Sequence, residues 1–532
     1  MNRVLKLLAF SAALLCVVAA RAQTPQENSG AKSAVSAVRA YRAAHEPQII
    51  REFNGLLSIP NTASDEPNIQ HNAARLVEML NSRGFRTQLL PIPGRGPVVF
   101  AELDAPKTGP SGRRLVEPGG SVTRTVIFYC HYDGQPVDPS KWTGTEPFVP
   151  ALRTDSIDAG GEIIPFPDAP GSYKDGWRIY ARSAGDDKAP IIAILAAVDA
   201  LRANHLPLAV NLKLVLEGEE EAGSQHLHAT IDAHRDLLKG DLLITADGPV
   251  DQSGRPLVFF GNRGVISVRL TVYGPLHPLH SGHYGNWAPN PAMRLTQLLA
   301  TMKDANGRIL IPGFYDNVVP LGPAEREAIA QAPDNDATLL KQFGIAAPDG
   351  GGKKLLELLN EPSLNIDGLE SGWTGAQSKT IIPDSATASL DMRLVKNAGP
   401  DQEFERLAAH IRRQGYYVID RAPTMEERAK YSRIAEVTRE PGYPATRTAM
   451  DLPVSRALMR VVDEAAGEPA VKIPLIGGSA PMYVFDELGL PVIGVPIVNF
   501  DDNQHSPNEN VRVGNLWKGM EIYGAILAAL RW

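Results

Sequence analysis

The sequence has few cysteines, no excess of basic charge and no long apolar run beyond its N-terminus. Its 532 residues include 2 cysteines, Cys16 and Cys130. Because Cys16 lies in an N-terminal segment that is predicted below to be removed, no internal disulfide is expected in the mature protein. Lys and Arg number 53 against 60 Asp and Glu, and the formal charge of -7 argues against binding to nucleic acid. After the first 22 residues, no run reaches the roughly 18 apolar residues that a membrane-spanning helix needs.

The N-terminal segment differs in composition from the rest. Arg3 and Lys6 come first, residues 7–20 are uncharged and mostly apolar, and Ala20-Arg21-Ala22 provides the small residues of a cleavage site. This pattern predicts a signal peptide over residues 1–22 and a protein that is exported, to the periplasm or the medium. The alternative is an uncleaved N-terminal anchor. The polar, small residues 23–35 are predicted to form a disordered leader.

Three short apolar runs are each bounded like a buried strand. They are residues 126–130, 212–216 and 242–244. Residues 190–204, rich in Ile, Ala and Leu, lie between the first two runs and are predicted to form a helix. Strands that alternate with helices predict an α/β domain with a mostly parallel sheet. We expect this domain to cover residues 36–264 and, after an interruption, 436–532.

The pattern changes to strict alternation from residue 265. Apolar and polar residues alternate over 266–272 and again over 388–394, as in antiparallel strands with one face buried. Helical patterns begin at Asn290-Pro291 and again near Phe404. Two helices on one antiparallel sheet predict an inserted α+β domain of ferredoxin-like type over residues 265–435.

Acidic residues and a histidine lie where the predicted buried strands end. His131 and Asp133 follow the strand predicted over residues 126–130, and glutamates 219–221 follow the one over residues 212–216. Asp247 follows the strand over residues 242–244, and Asp186 precedes the helix over residues 190–204. Each alone also fits a structural role, such as a helix cap for Asp186. Together they lie where open α/β sheets form binding sites. Crowded carboxylates repel one another, so the group predicts a metal site that suits zinc and, less selectively, manganese or cobalt.

Five motifs occur in a fixed order along the chain. They are His131-Tyr132-Asp133, Asp186-Asp187-Lys188, Glu219-Glu220-Glu221-Ala222-Gly223-Ser224, Ala246-Asp247 and His505-Ser506-Pro507-Asn508-Glu509. This set resembles the M20 family of zinc metallopeptidases, above all its carnosinase-like, dipeptidase branch. The resemblance covers nearly the whole chain after residue 22. It implies a catalytic α/β domain with two zinc ions at the strand ends, and an inserted domain that serves as a lid or pairs two subunits into a homodimer.

The resemblance also implies which residues hold the two zinc ions. Asp186 would bridge both ions, His131 and Asp247 would bind one, and Glu221 and His505 would bind the other.

Two further carboxylates receive roles from the same resemblance. Counting back from Gly223-Ser224 selects Glu220 as the general base. Asp133 would lie behind His131 and fix its tautomer, as carboxylates behind ligating histidines usually do.

Substrate contacts are implied in the inserted domain and near its end. His280, in Leu279-His280-Ser281-Gly282, would help to stabilise the oxyanion, from the partner subunit in dimeric members. Arg393 would clamp the C-terminal carboxylate of the substrate, and Thr380 and Ser479 would bind the same end. Taken singly, His280 could also be a structural residue of a loop, and Arg393 could also form an ion pair at the surface.

The sequence therefore predicts an exported di-zinc metallopeptidase that hydrolyses dipeptides or short peptides with a free C-terminal carboxylate. A metal-dependent amidohydrolase that deacylates N-acyl amino acids is the alternative. A non-catalytic carrier that kept the fold is a third. Ala189 and Pro278 depart from the residues usual beside the motifs, which leaves the shape of the substrate open.

Overall fold

A computed structural model describes residues 25–106 and 123–532. In chain order, its helices are α1 (Pro25–Leu57), α2 (Glu66–Ser82), α3 (Lys188–Ala203), α4 (Leu227–Ala233), α5 (Ser281–Tyr284), α6 (Pro291–Leu299), α7 (Pro323–Gln331), α8 (Asp336–Phe343), α9 (Leu355–Leu358), α10 (Pro400–Arg413), α11 (Met425–Lys430), α12 (Pro453–Ala466), α13 (Tyr483–Asp486) and α14 (Val513–Ala529). Its strands are β1 (Arg86–Leu90), β2 (Val98–Leu103), β3 (Thr125–His131), β4 (Ala151–Arg153), β5 (Ile163–Ile164), β6 (Arg178–Tyr180), β7 (Asn211–Glu217), β8 (Leu242–Thr245), β9 (Leu257–Phe259), β10 (Gly264–Tyr273), β11 (Leu279–His280), β12 (Ser363–Glu370), β13 (Ile381–Ile382), β14 (Ser385–Leu394), β15 (Tyr417–Ile419), β16 (Ile434–Arg439), β17 (Val471–Ile473), β18 (Val492–Gly494) and β19 (Asn510–Arg512).

The largest sheet has the strand order β1-β2-β7-β3-β8-β18-β9-β17. Strand β3 runs parallel to both of its neighbours, β7 and β8, and β8 runs parallel to β18. Both faces of β3 are covered, since Phe128 packs in a core with α3 and α14, whereas Tyr129 packs in another with α4 and α13. Two covered faces explain the continuous apolar run of this strand. The predicted α/β fold with a mostly parallel sheet is confirmed.

A second sheet, of order β12-β14-β10-β16-β15, interrupts the first between β9 and β17. Its long strands β10 and β14 are antiparallel and contain the two stretches of alternating sequence. Apolar residues from this sheet, α6 and α10 form a separate core, with Ile266, Leu298 and Leu407 among its members. The last strand of the chain in this sheet, β16, continues to Arg439, four residues beyond the predicted boundary at 435.

The prediction of a disordered leader over residues 23–35 is wrong for the described part of that stretch. Helix α1 begins at Pro25, and Ala31 and Ala34 are fully buried. Small residues let α1 lie close to α14, and a Cβ built on Gly30 would come within 3.4 Å of the Cβ of Ala529. The small side chains that suggested disorder thus serve close helix packing.

Residues 1–22, the predicted signal peptide, lie outside the described residues. Within residues 25–106 and 123–532, no helix has the length and apolarity needed to cross a membrane.

Candidate metal centre and substrate cleft

The ends of three neighbouring parallel strands bring the predicted site residues together. Strand β3 ends at His131, the single turn with Glu220 and Glu221 follows β7, and Asp247 lies two residues after β8. Because β3 lies between β7 and β8, all three strand ends meet at one edge of the sheet. Asp186 reaches the same edge from the loop before α3.

Five side chains form two groups that share one member. One group contains His131, Asp186 and Asp247, the other contains Asp186, Glu221 and His505, and the ligand atoms within each lie within 4.8 Å of one another. The two oxygens of Asp186 divide between the groups. Oδ1 is 2.8 Å from Nε2 of His131, and Oδ2 is 3.2 Å from Nε2 of His505. Imidazole and carboxylate donors are suited to divalent metal ions, so each group could hold an ion, and Asp186 is common to both groups.

Mutual repulsion and burial shape the proton affinities of these groups. Burial and the Asp186 carboxylate raise the pKa of Asp247 to about 7. Burial alone would lower the pKa of His131, but the Asp133 and Asp186 carboxylates raise it well above its usual range. Hydrogen bonds to Asp186 and Glu221 raise the pKa of His505 to about 11. Such crowded carboxylates, with cationic partners drawn to them, are the environment that a divalent cation stabilises.

Asp133 holds the acidic turn from behind. Its Oδ1 accepts a hydrogen bond from the backbone N–H of Glu220 at 3.1 Å, and its Oδ2 accepts one from that of Glu221 at 3.0 Å. Oδ1 also lies 3.4 Å from Nδ1 of His131. One carboxylate therefore fixes the backbone of two acidic residues, while Nδ1 of His131 also lies 3.2 Å from the backbone carbonyl oxygen of Asp133.

Glu220 belongs to neither group of ligand atoms, yet it faces the same space. Burial raises the pKa of its carboxyl well above the usual range, and the nearby carboxylates of Asp247 and Glu221 add to the effect. A carboxylate with raised proton affinity beside a metal centre can accept a proton from water.

A cleft of about 460 Å³, which we call the acidic cleft, opens over this centre. Arg393 also lines this cleft, and its Nη1 donates to Oγ of Ser479 at 2.7 Å while its Nε donates to Asp391 at 3.1 Å. A guanidinium that is held in this way can bind a carboxylate. The charged and hydroxyl residues that define the acidic cleft are Asp186, Glu220, Thr245, Asp247, Arg393, Ser479 and His505.

His280 and Thr380 do not line the acidic cleft. They lie side by side in the part of the chain from β10 to β16, residues 264–439, which we call the second unit. There β11 pairs with β13, and the N–H of Ser281 donates to the carbonyl of Thr380 at 3.0 Å. Both residues are exposed. Within one chain, therefore, the structure brings together the predicted metal ligands, Glu220, Asp133, Arg393 and Ser479, but not these two.

Three residues in the motifs or within two residues of them have contacts for which the sequence suggested no role. Nε2 of Gln135 donates to Glu221 at 2.8 Å, and Nε2 of Gln504 donates to Oδ2 of Asp186 at 2.7 Å. Glu509 is fully buried behind Asp186. The signal that could have identified them is their position within a few residues of the ligands.

Comparison with known proteins agrees with this geometry. Peptidase family M20/M25/M40 matches residues 127–529. The Cys-Gly metallodipeptidase DUG1 of Candida albicans is 28% identical over 498 residues, which are 91% of this chain and 94% of that protein. The human Beta-Ala-His dipeptidase is 26% identical over 458 residues, 82% of this chain and 78% of that protein.

Solved structures give the same result. The M20 family metallo-carboxypeptidase Sso-CP2 of Sulfolobus solfataricus superposes with a TM-score of 0.71 at 29% identity, over 91% of this chain and 99% of that one. Human carnosine dipeptidase 1 superposes with a TM-score of 0.66 at 25% identity, over 93% and 99%. Since the family match spans well over half of the chain, this protein belongs to peptidase family M20/M25/M40 and is a metallopeptidase hydrolase.

Proposed function

We propose that this protein is a di-zinc dipeptidase that cleaves dipeptides or short peptides with a free C-terminal carboxylate. The observation that carries the proposal is Asp186, whose two oxygens serve two separate groups of ligands at the floor of the acidic cleft. Zinc is proposed because imidazole and carboxylate ligands suit it, and manganese or cobalt could take its place. Two such ions would polarise the scissile carbonyl and lower the pKa of the attacking water.

Glu220 is proposed as the general base. Its carboxylate takes a proton from the water as the oxygen attacks the carbonyl carbon, and later gives that proton to the leaving amine as the C–N bond breaks. A carboxylate already committed to a metal is a poor base, and Glu220 stands outside both ligand groups. Asp133 acts as a positioning residue, since it holds the backbone N–H of Glu220.

Arg393 and Ser479 are proposed to bind the C-terminal carboxylate of the substrate. Their hydrogen bond of 2.7 Å orients both groups before substrate arrives, which reduces the entropy lost on binding. The dipeptidase relatives support a short substrate.

Deacylation of N-acyl amino acids is the second candidate. The acidic residues that line the described part of the acidic cleft are Asp186, Glu220 and Asp247, and the first proposal assigns all three to metal binding or to proton transfer. No further carboxylate is therefore present there for a substrate ammonium group, which favours an N-terminus without charge.

A homodimer is proposed from the position of His280 and Thr380. Both lie exposed on the second unit, apart from the acidic cleft of their own chain. Trp287, seven residues after His280, is 81% exposed as well. In a dimer that pairs through this unit, each subunit would supply its His280 and Thr380 to the other cleft and so act as its lid.

Mixing two inactive variants tests the dimer. We expect His280→Ala and Glu220→Gln to lose activity singly. Unfolding and refolding them together should restore part of it, because one cleft of each mixed dimer then holds an intact His280 and an intact Glu220. Equal inactivity of the mixture, with dimers present by light scattering, would contradict the exchange of His280.

Export is proposed from residues 1–22, whose composition is that of a signal peptide. We expect the secreted or periplasmic protein to begin at Gln23. Mass spectrometry of its N-terminus after expression of the full chain tests this, and a protein that retains Met1 and stays with the membrane would support the anchor instead.

The decisive experiment on function compares Glu220→Gln with the parent protein. We expect the variant to retain its zinc and to lose about 10²–10⁴-fold in kcat, the usual range for removal of a general base. Glu468→Gln makes the same chemical change at an exposed position and should leave kcat unchanged. Substrates are dipeptides and N-acetyl amino acids, each before and after chelation.

The outcomes separate the candidates. Chelator-sensitive cleavage of dipeptides supports the dipeptidase, and cleavage of N-acetyl amino acids alone supports the deacylase. Full activity of Glu220→Gln with bound zinc would refute the role of Glu220.

A further inference from the structure

Glu509 is a fully buried carboxylate that belongs to neither group of metal ligands. It lies directly before β19 and four residues after the ligand His505. A charge in such a position is costly unless every lone pair is satisfied by a donor. The donors that satisfy Glu509 therefore indicate why it is there.

All the donors to Glu509 come from the loop that ends in Asp186. Oε1 accepts hydrogen bonds from the backbone N–H groups of Gly185 and Asp186, both at 2.9 Å. Oε2 accepts one from the N–H of Ser183 at 2.9 Å and one from Nη1 of Arg182 at 2.7 Å. Each oxygen thus receives two donors, and three of the four belong to the backbone just before or at the bridging ligand.

The loop needs such an anchor because its conformation is unusual. Ser183 has a φ of 62°, in the left-handed region that side chains other than glycine seldom adopt. Asp186 must also present one oxygen to His131 and the other to His505 at the same time. A small rotation of this backbone would move both oxygens away from their partners.

Glu509 also joins two ligand-bearing segments. His505 and Glu509 belong to one loop, which the hydrogen bond from Asn510 N–H to the carbonyl of Asp502 closes at 2.8 Å. Through Glu509, that loop is attached to the loop of Asp186. Glu509 therefore holds the segment that carries His505 and the segment that carries Asp186 at a fixed separation.

We propose that Glu509 is a positioning residue that sets the metal affinity of the centre by fixing Asp186 from behind. The proposal rests on the two-metal centre proposed above. Only a carboxylate meets the need, because all four neighbours are donors. A glutamine has one acceptor oxygen, and its NH₂ group would face two donors.

Zinc titration of purified Glu509→Gln against a competing chromophoric chelator tests the proposal. We expect the apparent Kd for zinc to rise by about 10–100-fold, the usual cost of losing a group that orients a ligand. Glu509→Asp keeps both acceptor oxygens on a shorter side chain, so we expect it to regain part of the lost affinity. If Glu509→Gln does not fold, Glu509→Asp alone should still bind zinc more weakly than the parent protein.

Glu521→Gln is the matched control for loss of a buried carboxylate. Glu521 is 5% exposed and binds Arg39 through two hydrogen bonds of 2.8 Å, with no contact to a ligand loop. Both variants should unfold at lower urea concentration in the presence of EDTA, but only Glu509→Gln should lose zinc affinity.

Parental zinc affinity in the Glu509 variants would overturn the proposal and leave Glu509 a purely structural residue. A similar loss of affinity in Glu521→Gln would also overturn it. Failure of the proposed function is distinguished from failure of this proposal by the parent protein, which would then show neither bound zinc nor chelator-sensitive hydrolysis. If the parent protein binds no zinc, both proposals are wrong.

Discussion

Replacement of Asp133 by asparagine tests whether one carboxylate supports both metal binding and the base. Its two oxygens accept the N–H groups of Glu220 and Glu221 at 3.1 and 3.0 Å. In Asp133→Asn, one oxygen becomes an NH₂ group, which cannot accept a hydrogen bond. At least one of the two bonds is lost, and the negative charge beside His131 is lost as well.

The size of the effect follows from the lost bond. A hydrogen bond to a charged group contributes about 1.5–3 kcal/mol. At about 1.4 kcal/mol per factor of ten, this corresponds to roughly 10–100-fold. Because Glu220 and Glu221 are adjacent, the displaced turn should reduce both kcat and zinc affinity.

Steady-state hydrolysis of a dipeptide at saturating zinc, together with chelator competition, measures both quantities. Glu220→Gln serves as the reference, since it should lower kcat and leave zinc affinity unchanged. Asp251→Asn is the matched control, because Asp251 also accepts a backbone N–H, from Ser253 at 2.9 Å, in an exposed turn. The reasoning is refuted if Asp133→Asn stays within twofold of the parent protein in both quantities.

Three more predictions concern the cleft, the metal centre and the packing of α1. Arg393→Met should raise KM for dipeptides by about 10–100-fold, from the loss of a charge-assisted bond, and an unchanged KM in initial-rate assays would contradict the clamp. Zinc affinity should fall as pH falls from 8 to 6, because the raised pKa values of His505, about 11, and Asp247, about 7, mean that zinc must displace protons from its ligands. Calorimetry in buffers of different ionisation enthalpy should detect the release of protons on zinc binding, and zinc binding without proton release would contradict these pKa values. Gly30→Leu should lower the free energy of unfolding in urea by about 1–3 kcal/mol through overpacking against Ala529. Gly55→Leu in the same helix has open space around it, and leucine favours a helix more than glycine does, so it should cause no loss. An equal loss in both variants would contradict overpacking as the cause.

Periodicity predicted most of the fold correctly. Residues 126–130 form a continuous apolar run, which predicts a buried strand, because both faces of β3 are covered. Residues 266–272 alternate between apolar and polar, which predicts a half-buried strand, because one face of β10 packs on a core. The first part of α1 was missed, since Gly and Ala carry no apolar signal of their own. Their burial depends on α14, almost 500 residues later in the chain.

The sequence by itself determined the order of the elements, the residue types of the metal centre and the family that they resemble. Position next to a strand end or a helix start indicated four of the ligands, His131, Asp186, Glu221 and Asp247. The fifth, His505, lies in the loop between β18 and β19, and only the resemblance to the family indicated it. The tertiary structure alone decided which groups meet. It joined Asp186 to His505 and Glu509, which are more than 300 residues away, and it kept His280 and Thr380 out of the acidic cleft of their own chain. Such contacts arise from the packing of distant segments, and no local pattern of residues contains them.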